Sequence, residues 1–138
     1  EVIQANRFQT DKEKLKKQRN LKNNKRRGNL YECKIAKELR DLGYDGIVTS
    51  RSESKSMDDM KIDLVDKNNK LPFYCQIKRT IKSPNYFEIK NACPLNDKPF
   101  VLFWNAQKPT DSTFRSIGEV VVLDKQFFYE LLKVYNND

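Results

Sequence analysis

The chain has no histidine, only four glycines, three cysteines and a single tryptophan in 138 residues. Each shortage removes a class of chemistry. Without histidine there is no Ser-His-Asp or Cys-His relay to activate a nucleophile. His-ligated zinc hydrolases and histidine-based nucleases of the HNH kind are excluded for the same reason. Cys33, Cys75 and Cys93 are odd in number and lack C-x-x-C spacing. They make a poor tetrahedral zinc set and read as small buried hydrophobes in a reducing compartment. No window holds 18 apolar residues, so no membrane span is expected, and no secretory apolar stretch appears. An enzyme built from what remains must work with carboxylates, lysine and a hard metal ion.

What is abundant is positive charge. There are 27 Lys plus Arg against 19 Asp plus Glu, a net of +8. Residues 12–27 hold nine of those cations and one acid, so they carry the whole excess and the rest is near neutral. A concentrated basic run favours a polyanion. No Leu-rich or aromatic amphipathic face accompanies it, which points to nucleic acid over a membrane surface. A solvated basic tail with no partner is the competing reading. The composition suits an intracellular, cytoplasmic protein and is compatible with a phage origin.

The length suits one domain with a modest core, divided here into a basic N-terminal arm over 1–28 and a folded domain over 29–138. Gly28 is expected to interrupt the chain. Residues 29–42 predict an amphipathic helix, with Asn29 as N-cap, Glu32 completing a capping box, and Gly43 as the stop. Ile35, Ala36, Leu39 and Leu42 form its apolar face. Glu32 lies three, four and seven residues before Ile35, Ala36 and Leu39, so it projects on the core side. A carboxylate there is costly unless it is paired or holds a metal.

Residues 44–50 predict a short strand and 51–59 a polar loop. Residues 61–66 alternate as a strand, with Asp63 in mid-strand. Residues 73–79 form a second alternating strand, with Tyr74, Gln76 and Lys78 on one face and Phe73, Cys75 and Ile77 on the other. An antiparallel hairpin of these two strands would bring Asp63, Gln76 and Lys78 to one surface, with Glu32 arriving from the helix above it. Further on, 85–91 predict a short helix, 99–106 an apolar strand and 119–123 a short buried strand. Asp124 caps a final helix, 125–135, with Phe127, Phe128, Leu131, Leu132 and Tyr135 as its stripe. The order predicts an α/β fold, a mixed sheet flanked by helices.

The four polar residues suit phosphodiester hydrolysis. Two carboxylates and a carbonyl oxygen offer hard donors to Mg²⁺. A lysine beside them can orient a water and offset charge on the transition state.

The runs GNLYE, SRSES, DDMKIDLV and FYCQIK, in that order, resemble the PD-(D/E)xK nuclease pattern. Within that class the likeness is to the archaeal-type Holliday junction resolvases and their phage relatives, and it covers about residues 24–80. The resemblance implies a restriction-endonuclease-like fold and a catalytic cluster of Glu32, Asp63, Gln76 and Lys78. It implies Mg²⁺, with Mn²⁺ as substitute, held by Glu32, Asp63, Gln76 and the carbonyl of Ile77. It implies a homodimer that resolves four-way DNA junctions. Contacts to DNA would come from Lys22, Lys25, Arg26, Arg27, Arg51, Ser52, Ser54 and Arg79. Gln76 departs from the acid of the E-x-K strand and offers an amide oxygen without charge. Glu53, Asp58 or Asp59 are the candidates to make up that charge.

Other readings stay open on these residues. D-x(12)-QxK spacing arises by chance, and a strand alternating Asp, Gln and Lys also describes a solvated face. The same cluster would serve a nuclease acting on duplex ends, flaps or a restriction target. With Gln76 in place of an acid, it also fits a DNA-binding module without catalysis.

Overall fold

The computed structural model describes the backbone of residues 2–137 and the side chains of residues 11–137. The elements in order are helix α1 (Val2–Asp41), strand β1 (Ile47–Thr49), short helices α2 (Ser50–Glu53) and α3 (Lys55–Asp59), and strands β2 (Leu64–Asp66) and β3 (Tyr74–Thr80). Helix α4 (Tyr86–Ala92), strands β4 (Phe100–Pro109) and β5 (Phe114–Leu123), and helix α5 (Lys125–Asn137) follow. The fold is mixed α/β, as expected.

Helix α1 runs through the expected boundary at Gly28 without a break. A single glycine costs a helix about 1 kcal/mol, and its flanks are Lys, Arg, Asn and Leu with no proline. Asn29 is therefore an interior helix residue, and Glu32 is not part of a capping box. The C-terminal stop is as expected. Gly43 takes φ +109°, its N–H donates to the Arg40 carbonyl at 2.9 Å, and the Tyr44 N–H reaches back to Leu39 at 3.1 Å. Leu42 falls beyond the helix end and is exposed, so it leaves the apolar face.

Strands β1 and β2 pair antiparallel as a two-stranded sheet. Strands β3 and β4 pair parallel, joined by the crossover through α4, and β4 pairs antiparallel with β5. The expected β2–β3 hairpin does not form a ladder. Asp63 lies just before β2 instead of in mid-strand, and one backbone bond, from its N–H to the Cys75 carbonyl at 2.9 Å, ties it to β3.

The main core joins Tyr31, Ile35, Ala36 and Leu39 of α1 to Ile47, Leu64, Cys75, Ile77, Val101 and Phe127. A second cluster, Ile62, Cys93 and Phe100, packs with Met57, Tyr86 and Ile89 on the α4 side. Strand β3 is thus covered on both faces: α1 lies over Cys75 and Ile77, and α4 over the other.

Several expectations of burial fail at the C-terminal end. Strand β5 is ten residues long and mostly exposed, because it is the edge of its sheet. On α5 only Phe127 is buried, while Phe128, Leu131, Leu132 and Tyr135 are open to solvent. Residues 51–59 are two short helices rather than a loop. Cys75 and Cys93 are buried, but Cys33 is exposed. Among the described residues no helix is long and apolar enough to cross a membrane.

Candidate active site

Asp63 is the best-anchored polar residue of the cluster. Its N–H donates to Cys75, its carbonyl accepts from the Ser50 N–H at 2.9 Å, and its Oδ2 accepts from the Ile77 N–H at 2.7 Å. Ser50 is fully buried and its hydroxyl donates to the Ile62 carbonyl, one residue before Asp63. Lys61, two residues before, takes φ +67°, a conformation a lysine adopts only when its surroundings hold it. The turn into Asp63 is therefore fixed from both sides.

Within a strand the N–H and C=O of one residue leave by the same edge. The Ile77 N–H points at Asp63, so its carbonyl also faces the Asp63 side. That is the orientation the proposed ligand role requires.

Gln76 and Lys78 sit two apart on the α4-facing side of β3. With Asp63 they line one open cleft of about 440 Å³, whose rim also carries Asp58, Lys61, Glu88 and Ile89. Three of the four residues of the cluster thus share a cavity. Glu32 does not line it. Helix α1 covers the opposite face of β3 from the one expected, so Glu32 reaches Asp63 from that other side. Their coupling is electrostatic. Burial and then the charge of Asp63 push the Glu32 carboxyl up to about 7, while Arg51 pulls it back. Burial likewise raises Asp63, against the Ile77 N–H and the charge of Lys78. The buried Cys75 thiol is raised by burial first and then by both carboxylates.

Glu32 and Asp63 are thus like charges, partly desolvated; Arg51 pairs with the first, its Nε 3.6 Å from Glu32 Oε2, and the charges of Lys78 and Lys61 act on the second. A divalent cation would relieve that repulsion, and on the cleft side of Asp63 the neutral oxygens are those of Gln76 and the Ile77 carbonyl. The donor set suits Mg²⁺ or Mn²⁺. Among the described residues no three His, Cys, Asp or Glu side chains stand together as a metal set. At most two carboxylates, Asp63 from the cleft and Glu32 from the α1 side, could therefore be offered to one ion.

Of the acids considered as compensation for Gln76, only Asp58 lines the cleft. Glu53 pairs with Lys67 at 3.2 Å, and Asp59 is exposed on α3. Glu88 was not foreseen. It is the acid in the first turn of α4, whose N-cap Asn85 accepts from Phe87 and Glu88. An Asn followed three residues later by Glu is a legible helix start, but which cleft that helix would face was not.

The expected DNA contacts fall into three groups. Lys22, Lys25 and Arg26 of α1 and Arg51 of α2 line one groove of about 330 Å³ with no acid in its lining. Arg27 and Arg79 line a different cleft. Ser52 and Ser54 line neither. Ser52 Oγ lies 2.6 Å from Thr49 Oγ1, and Ser54 Oγ lies 3.5 Å from Ser56 Oγ. No protein-family model, no curated protein and no solved structure matches the chain.

Proposed function

We propose that this protein is a metal-dependent DNA endonuclease of the PD-(D/E)xK class, with a restriction-endonuclease-like sheet, that resolves four-way junctions as a homodimer. The observation that carries this is the cleft holding Asp63, Gln76 and Lys78, with Asp63 locked onto β3 through Ile77 and Glu32 electrostatically coupled to it. The acid-free groove of Lys22, Lys25, Arg26 and Arg51 supports a phosphate backbone as partner, and Arg51 links that groove to Glu32. The exposed apolar residues of β5 and α5, among them Val120, Val121, Leu131 and Leu132, support a second copy as the cover for that end.

Asp63 and Glu32 would hold Mg²⁺, with Gln76 Oε1 and the Ile77 carbonyl completing the protein donors. The bound ion supplies Lewis acidity toward the phosphate and a water of lowered pKa. Lys78 lines the same cleft, where its ammonium would orient the attacking water and offset charge developing on the phosphate oxygens. Arg51 and the α1 cations hold the strand by its phosphates.

The test is incubation with a synthetic four-way junction, a flap and a linear duplex, each with Mg²⁺. Paired nicks across the junction, abolished by EDTA and reduced about 10²-fold or more by Lys78→Ala, are expected. Equal cutting of all three substrates would remove the junction clause and leave a nuclease for ends, flaps or restriction-type targets. Sedimentation as a monomer would remove the paired-cut clause. A second reading, a DNA-binding module without catalysis, is favoured by the missing third carboxylate. Junction binding that persists in EDTA, with no cleavage in Mg²⁺ or Mn²⁺, would replace the first reading with the second.

A further inference from the structure

On the far side of α1 from the basic groove, Arg27, Arg79, Ile81, Gln107 and Phe114 enclose a second cleft of about 270 Å³. No acidic residue lines it. Two of the residues lining it each hold one buried polar atom without a hydrogen-bond partner: Arg79 Nε and Gln107 Oε1. Gln107 is more than nine-tenths buried. Its amide nitrogen is engaged, donating to Asn105 Oδ1 at 2.8 Å, so the orphan is the oxygen alone. A buried acceptor and a buried donor left unmade each cost about 1–3 kcal/mol, which makes a pair of them in the walls of one cavity a sign of a ligand. The residue is aimed there by a register shift between Ala106 and Gln107 in the β4–β5 ladder, a device that re-aims side chains beside sites.

The remaining walls define the ligand. The Arg27 guanidinium lies over the Phe114 ring, 4.7 Å from its centroid, and Ile81 is an exposed apolar neighbour. An aromatic ring backed by an arginine is a platform for a flat ring. The two guanidiniums, free of any carboxylate in the lining, suit a phosphate. The Gln107 oxygen needs an N–H donor. A flat ring bearing N–H and attached to a phosphate is a nucleotide.

We propose that this cleft receives one unpaired nucleotide of a nucleic acid strand, its base stacked at Phe114 with an N–H on Gln107 Oε1 and its phosphate against Arg79 and Arg27. The nucleotide must be unpaired and unstacked, because in a duplex both faces of a base are covered by its neighbours and neither could lie on Phe114. The volume falls just below the small-ligand range of about 300–1,000 Å³, so it fits a single nucleotide unit and not a duplex. The strand origin rests on the nuclease reading above. Arg79 directly follows Lys78 on β3, so a strand crossing the edge of that sheet could engage both sites.

The test uses the full chain in EDTA, which separates binding here from any cleavage. A ten-nucleotide thymidine strand with one central 2-aminopurine is the probe, since that base carries an amino donor and loses fluorescence on stacking. Quenching is expected, with Phe114→Leu and Gln107→Leu each weakening binding by about tenfold and Phe114→Tyr restoring it. Arg27→Met, on the helix surface, gives a variant less dependent on the core, and melting curves confirm that each variant is folded. Absence of quenching in the wild type, or quenching unchanged by both Phe114→Leu and Gln107→Leu, overturns the site. Equal affinity for deoxyadenosine monophosphate and for the strand overturns the strand clause.

Discussion

Glu32 sits on α1 among apolar neighbours, with its side chain 15% exposed and Asp63 as the strongest like charge acting on it. The folded chain therefore favours its protonated form. Its carboxyl rises from an ordinary 4.5 to about 7, so the sign of its pH effect follows directly. The stabilisation from a neutral Glu32 is complete below about pH 4.5 and is lost as pH climbs through 7. Metal-free protein should consequently melt lower at pH 8 than at pH 5, and Glu32→Gln should shrink that gap by roughly a few degrees. Added Mg²⁺ should reverse the trend, because the ion needs the deprotonated carboxylate and expels its proton. Melting curves in EDTA and in Mg²⁺ at both pH values read this out. A Glu32→Gln curve that tracks the wild type at every pH would mean that Glu32 feels neither its burial nor the Asp63 charge.

At the scale of elements, β2 matters because it delivers Asp63, and β2 is held by its turn. Asp66 at its end accepts from the backbone N–H groups of Asn68, Lys70 and Leu71 at 2.8–2.9 Å. Burial works against that carboxylate, but the three donors outweigh it and hold it below the ordinary range. The closeness is possible only because residue 46 is glycine. A Cβ there would stand 2.6 Å from Asp66 Oδ1 and 2.9 Å from the Asn68 backbone nitrogen. Backbone cannot yield as a flexible side-chain tip does. Gly46→Ala should therefore cost about 1–3 kcal/mol in urea unfolding, and catalysis should fall with it as the turn shifts β2. A substitution that leaves the urea midpoint unchanged would show that the turn relaxes freely. The periodicity that announced the strands carried no sign of this turn's geometry. Alternation in 61–66 and 73–79 revealed that strands were there, and which residues of β3 share a face. It did not reveal their pairing, because pairing depends on partners elsewhere in the chain. Hence β3 takes β4 as its neighbour, and Asp63 docks by a single ladder-like bond.

Across the whole molecule, the meeting of Asp63, Gln76 and Lys78 on one surface was legible from residue types and order, whereas the side from which Glu32 arrives was not. Glu32 was correctly expected toward the core, because helical spacing ties it to Ile35, Ala36 and Leu39, yet α1 covers the opposite face of β3. Glycine in a helix was over-read as a boundary at residue 28, since its local cost is smaller than the sum of good helix formers around it. The exposed stripe on α5 shows a similar limit: an apolar period marks a face, not what covers it.

The charge distribution was fully legible, and it fixes a measurable consequence. All of the net +8 resides in residues 12–27, and α1 turns one side of that run, with Arg51, into the acid-free groove. Each phosphate neutralised on duplex DNA contributes about −0.9 to the slope of log affinity against log salt. Four cations in the groove thus set a slope of about −4 as their full contribution. Lys22→Gln with Lys25→Gln should lower its magnitude by about 2, weaken binding alike for junction and duplex, and leave the Mg²⁺ requirement of cleavage unchanged. Fluorescence anisotropy from low to high salt checks all three. A slope near zero in the wild type, or one unmoved by the double substitution, would mean that DNA enters by another surface, and the basic helix would revert to a solvated extension of the fold.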